Sequence, residues 1–168
     1  GHQIGSGILD FYKNEVNNGS LFVWAAGNTS TDKQPTFEAG LPYFDNALEK
    51  GWINVVGLTS REGTEKGDFN WNNLIPLSPA GVAKNWTVTA LGDQVYKLKT
   101  LYYIGSGSSY AAPIVTGTAA LLKEKYPWMD GSLIRQTILS TATDIGEKGV
   151  DEVYGWGLLN IDKALKGP

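Results

Sequence analysis

The chain has 168 residues, 42% of them hydrophobic and 18% charged, with a formal net charge of −3; this suits one globular domain or a large part of one and excludes a disordered tract. Its 14 Lys and Arg are scattered, so no basic stripe offers a phosphate-neutralising face and nucleic acid is excluded as a partner. The absence of cysteine excludes disulfides, thiol nucleophiles and cysteine zinc sites, and no apolar run approaches the roughly 18 residues of a membrane helix. Twenty-one Gly, 6 Trp and 8 Tyr predict many tight backbone positions and an aromatic-rich surface or cleft, as in extracellular enzymes. The N-terminus lacks a basic region followed by a hydrophobic stretch, so a signal peptide or membrane anchor is expected outside this chain.

In chain order, Ile8, Leu9, Tyr12 and Val16 fall on one helical face, and Asn18-Gly19 supplies a left-handed stop, so residues 5 to 18 predict an amphipathic helix. A buried strand follows from Leu21 to Ala25, then a polar stretch with a short helix near Phe44 to Lys50. The apolar run Ile53 to Leu58 reads as a parallel strand covered on both faces. Residues 60 to 84 lack periodicity apart from a short strand at Leu74 to Leu77. Trp86, Val88 and Ala90 alternate with Thr87 and Thr89, and Val95 to Tyr103 is interleaved with Lys; both predict half-exposed antiparallel strands near an edge. A glycine loop then leads into a helix from about Ser109 to Lys125. Pro113 is placed in its first turn, and Gly117, Ala119 and Ala120 predict close approach by neighbours in a buried setting. Asp130 or Ser132 caps a further helix to about Ser140, and Asn160 begins a short last one. No repeat or linker interrupts the chain.

Two segments carry chemistry. A serine opening a helix, as in Gly107-Ser108-Ser109-Tyr110-Ala111-Ala112-Pro113, presents an unsatisfied N–H, and the helix dipole favours negative charge beside it. Position alone equally allows Ser108 or Ser109 to be a helix cap. Gly27-Asn28 after a buried strand is either a turn or a mount for a side-chain amide that donates to an oxyanion. Together the two segments point to acyl transfer.

Gly107-Ser108-Ser109-Tyr110-Ala111-Ala112-Pro113 resembles the subtilase nucleophile motif Gly-Thr-Ser-Met-Ala-x-Pro, and Trp24-Ala25-Ala26-Gly27-Asn28 resembles that family's Ala-Ala-Ala-Gly-Asn strand. Tyr154-Gly155-Trp156-Gly157-Leu158-Leu159-Asn160 is similar to its closing Tyr-Gly-x-Gly-Leu-Ile-Asn segment. Residues 114 to 122, Tyr126-Pro127-Trp128-Met129 and the final Lys166-Gly167-Pro168 resemble the autotransporter-type subtilases, surface proteases whose outer-membrane barrel would begin after Pro168. The resemblance implies a subtilisin-like α/β fold, a mostly parallel sheet flanked by helices, with residues 1 to 168 forming the C-terminal portion of a catalytic domain. It implies a serine endopeptidase acting on proteins or peptides at the bacterial cell surface or after secretion. Ser109 is implied as nucleophile, Asn28 and the Ser109 N–H as the oxyanion hole, and Ala25, Ala26, Gly27 and Gly107 as substrate-binding wall. Tyr110 stands where the family has Met, and Ile114 where it has His.

The remaining triad members are not found here. His2 is the one histidine and matches no family motif, so it reads as a tag remnant or surface residue. The Asp and His segments are expected in a missing N-terminal half, and without an imidazole base the isolated chain is expected to be inactive. Half a sheet also implies an exposed strand edge and self-association through it. No cofactor is implied; many subtilases bind calcium, but no loop here has ligand spacing. An α/β-hydrolase needs its histidine after the serine, and none follows Ser109. A dinucleotide site at Gly105-x-Gly107 fails because Tyr110 occupies the third small position. The alternative of another class is a non-catalytic subtilase-like binding or adhesin module.

Overall fold

A computed structural model describes residues 5–29, 31, 33–60, 74–98 and 100–167. Helix α1, Ser6–Asn17, ends where Gly19 takes φ +90°, the left-handed stop expected from Asn18-Gly19. Strands β1 (Phe22–Ala25), β2 (Trp52–Ser60), β3 (Leu74–Pro76) and β4 (Thr87–Leu91) form one sheet. β2 is central: β1 and β4 both run parallel to it, with Val23 opposite Ile53 and Val55 opposite Val88, and β3 pairs antiparallel with its last residues. Ala26 donates to the Val55 carbonyl and Leu77 to that of Gly57, while Gly92 donates to Leu58. Successive carbonyls of a strand face opposite edges, so β1 and β3 share one edge of β2, end to end, and β4 takes the other.

Alternation along β2 sorts the core. Ile53 and Val55 face α2 (Ser108–Lys125), α3 (Gly131–Ser140) and α4 (Ile161–Leu165), together with Val88, Val115, Leu122 and Ile138, all fully buried. Trp52 faces the opposite way, joined by Val16, Leu48 and Trp86, with Tyr12 meeting Phe22 and Trp52 edge-on at 5.1 and 5.2 Å. The result is helices on both faces of a mostly parallel sheet. A 3-10 helix, Asn46–Gly51, lies where a short helix was expected near Phe44 to Lys50, and a 3-10 turn, Leu41–Tyr43, precedes it. Asp130 and Asn160 cap α3 and α4 through their side chains.

Three expectations are corrected. The strand Thr87–Leu91 is parallel rather than antiparallel, and Thr87 and Thr89 are fully buried. Their hydroxyls donate to the Ala83 and Tyr154 carbonyls at 2.7 and 2.9 Å, which lets threonine occupy an interior face. Antiparallel pairing does hold for the hairpin of β5 (Asp93–Leu98) and β6 (Leu101–Ser106). Helix α2 begins at Ser108, so Pro113 is its sixth residue and lies beyond the first turn; it has no N–H for the carbonyl of Ser109 four residues back. Gly117 is exposed and a Cβ there would meet nothing within 4 Å, so it admits no close neighbour among the described residues.

Candidate active site

After Ala26, Gly27 takes φ +118°, a backbone state that L side chains rarely adopt, and the chain leaves the sheet. Asn28 thereby meets the start of α2 from 80 residues away. The Ser108 N–H donates to Asn28 Oδ1 at 2.7 Å, and Ser108 Oγ donates to the same oxygen at 3.0 Å while accepting the Gly27 N–H at 3.1 Å. A backbone N–H can only donate, so the amide oxygen must face Ser108 and Nδ2 must point elsewhere. Nδ2 lies 3.6 Å from where a Gly107 Cβ would stand, with the Tyr110 ring at 3.5 Å from the same point. A Cβ at 107 would rest in ordinary contact with both, so Gly107 borders the amide directly.

Ser109 is the second residue of α2 and is exposed, whereas Ser108 is 1% exposed. The helix cap is Gly107, in extended conformation, so neither serine caps by its side chain. Among the described residues no group accepts the Ser109 N–H or the Asn28 Nδ2. Two free donors beside an exposed hydroxyl at a helix N-terminus form a set suited to an oxyanion raised on a carbonyl that the hydroxyl attacks.

The floor is built from glycine. A Cβ on Gly57 would stand 2.9 Å from Ser108 Cα, and one on Gly92 would stand 3.1 Å from the Gly107 and Leu58 carbonyl oxygens. Gly107 donates to the Gly92 carbonyl at 2.9 Å, so the sheet and the serine loop touch backbone to backbone. Below them Asp93 accepts from Ser106 Oγ at 2.6 Å and from Ser60 N–H and Oγ at 2.8 and 3.0 Å. Partial burial pushes this carboxyl up, but the hydrogen bonds from Ser106, Ser60 and Thr59 outweigh it and hold it below the ordinary carboxylate range.

Of the expected wall residues, Gly27 and Gly107 lie beside the amide, while Ala25 and Ala26 give their carbonyls to Thr36, at 3.0 Å to its Oγ1 and 2.8 Å to its N–H. Residues that motif reading passed over are Thr36, Gly57, Ser78 and Asp93, and Ser108, read there only as a possible cap, instead orients Asn28. His2 lies outside the described residues. Among the described residues no three His, Asp or Glu side chains are placed to hold a metal ion, and no helix is long and apolar enough to cross a membrane.

Comparison with known proteins agrees with this arrangement. The Peptidase S8 (subtilase family) model matches residues 3–157. Serotype-specific antigen 1 of Mannheimia haemolytica is 40% identical over 96% of this chain, and the Neisserial autotransporter lipoprotein NalP of Neisseria meningitidis serogroup B is 38% identical over 90%. The chain spans only 17% and 14% of the lengths of those two proteins. In three dimensions it resembles fervidolysin from Fervidobacterium pennivorans, a keratinolytic enzyme related to subtilisin, with a TM-score of 0.72 and 26% identity over 98% of this chain and 25% of that one. A chain with a parallel sheet between helices, an amide-bearing glycine turn beside a helix-opening serine, and these relatives belongs to the subtilase family.

Proposed function

We propose that this chain supplies the nucleophile and oxyanion hole of a serine endopeptidase. Ser109 Oγ attacks a peptide carbonyl and forms an acyl-enzyme, while the Ser109 N–H and Asn28 Nδ2 hold the oxyanion. The observation that carries this is the pair of hydrogen bonds from Ser108 to Asn28 Oδ1, because they turn the amide so that its donor end is free. Ala25, Ala26, Gly27 and Gly107 border the place where substrate would lie.

The general base and its orienting carboxylate come from a segment outside this chain, whose one histidine, His2, matches no triad motif. The outer edge of β1 fits that role as a docking line, since among the described residues β1 pairs only with β2. Without that base the isolated chain is inactive, and the open edge makes it prone to self-association. The relatives support secretion or a bacterial surface location and protein or peptide substrates.

The test is peptide hydrolysis by the complete protein that carries this chain. Ser109→Ala abolishes turnover; Asn28→Ala lowers kcat by about a hundred- to a thousandfold, a loss characteristic of this donor in subtilisin itself, with KM little changed. Normal turnover in purified Ser109→Ala protein refutes the proposal, and no turnover in folded unsubstituted protein favours a binding module.

A further inference from the structure

We infer that Ser78 is a positioning residue for the oxyanion donor, acting from a distant segment through the peptide that follows Asn28. Ser78 lies two residues past β3 and is 2% exposed. Its Oγ accepts the Thr29 N–H at 2.9 Å and donates to the Thr29 carbonyl at 3.2 Å, so one hydroxyl satisfies both backbone groups of the residue after Asn28. The same oxygen lies 3.3 Å from the point where a Gly27 Cβ would stand, and thus packs under the turn that releases Asn28 from the sheet.

The need for this contact follows from the geometry. Past Ala26 the chain has left the strand ladder, and Gly27 is the residue with the widest backbone freedom. Ser108 holds the amide end of Asn28, but a side chain fixed at its tip still moves if its own backbone swings. Ser78 fixes the backbone on the far side of Asn28, so the residue is held at both ends and Nδ2 keeps one direction. Only a group that donates and accepts at once does this, which selects a hydroxyl and excludes alanine. Ser78 itself is buried while Thr29 is exposed, so without the hydroxyl water can take up the Thr29 groups but does not hold them in one direction.

This inference rests on the proposed acyl-transfer reading and is tested beside it in the complete protein. Ser78→Ala, Asn28→Ala, the double variant and Ser109→Ala are compared for kcat, KM and melting midpoint. The expected result is a kcat lowered about ten- to a hundredfold by Ser78→Ala with KM within about twofold, as for a donor displaced by a fraction of an ångström. In the Asn28→Ala background the same substitution is expected to cost nothing further, since there is no donor left to position. A merely structural role would lower the melting midpoint and cost equally in both backgrounds. Ser78→Cys keeps the volume while weakening both bonds; its expected loss of about tenfold provides the reading if the alanine variant does not fold. Unchanged kcat in Ser78→Ala while Asn28→Ala falls, or an equal loss in both backgrounds, overturns this inference alone. Full turnover in Ser109→Ala overturns the protease reading and this inference with it.

Discussion

Gly57 carries no functional group, yet its replacement by alanine is expected to slow acylation. The residue sits in β2 on the face that meets α2, and an added methyl would stand 2.9 Å from Ser108 Cα, 3.0 Å from Ser108 N and 3.1 Å from Leu77 Cδ1. The leucine tip can rotate away. The Ser108 backbone cannot, because its N–H is the 2.7 Å donor that orients Asn28. Ordinary contact begins near 3.4 Å, so the start of α2 must retreat by about 0.5 Å. Overpacking of this kind costs about 1–3 kcal/mol, which for a domain of this size lowers the melting midpoint by about 2–4 °C per kcal/mol. Misplacement by 1 Å can cost on the order of a hundredfold in rate, so half of that predicts roughly tenfold slower acylation. The assay is the rate of fluorophosphonate labelling in the complete protein, with Val56→Ala as control: Val56 is fully buried in the same strand but faces the other side of the sheet. Gly57→Ala labelling at the normal rate, or Val56→Ala slowing as much, refutes the reasoning.

The Asp93 clamp predicts a pH dependence. Its folded pKa lies below the unfolded value of about 3.9, so its stabilisation is present above that value and is lost as pH falls through the folded pKa. The difference in urea midpoint between the unsubstituted protein and Asp93→Asn should therefore be largest above the unfolded pKa of about 3.9 and shrink as pH falls below it; a difference constant with pH contradicts the assignment. Arg135 is 7% exposed, donates from Nε to the Trp52 carbonyl at 2.9 Å and pairs with Glu49 at 3.1 Å. Burial pulls its pKa down and Glu49 opposes that, so the cation is retained by its partner. Arg135→Ala should cost about 1–3 kcal/mol in denaturant unfolding, chiefly because it strands the buried Trp52 carbonyl while the partly exposed Glu49 carboxylate is taken up by water, and a loss under about 0.5 kcal/mol would contradict that role.

Much of the fold was legible because local signals and burial agreed. Asp130 and Asn160 cap as their positions before apolar helices imply, and the apolar run of β2, broken only by Asn54 between Ile53 and Leu58, marks a strand flanked on both sides. The alternation in β4 misled because a threonine with an internal acceptor looks polar in sequence but is buried in the fold; Thr87 finds its acceptor in Ala83, four residues back. The register of α2 was off by one because the glycine before it caps without a side chain, which moved Pro113 out of the first turn. The two motifs that meet at the site could be read, since glycine turns leave a mark. What holds them could not: Ser108 reaches Asn28 across 80 residues and Ser78 reaches Thr29 across 49, and a serine's partner at that distance leaves no local pattern.

The most direct measurement is fluorophosphonate labelling with the modified residue mapped by mass spectrometry, on the complete protein and on this chain alone. The account predicts a single adduct on Ser109 in the complete protein and none in the isolated chain, because it assigns the activating base to a segment outside this chain. An adduct on another serine, or no adduct in complete protein shown to be folded, contradicts it.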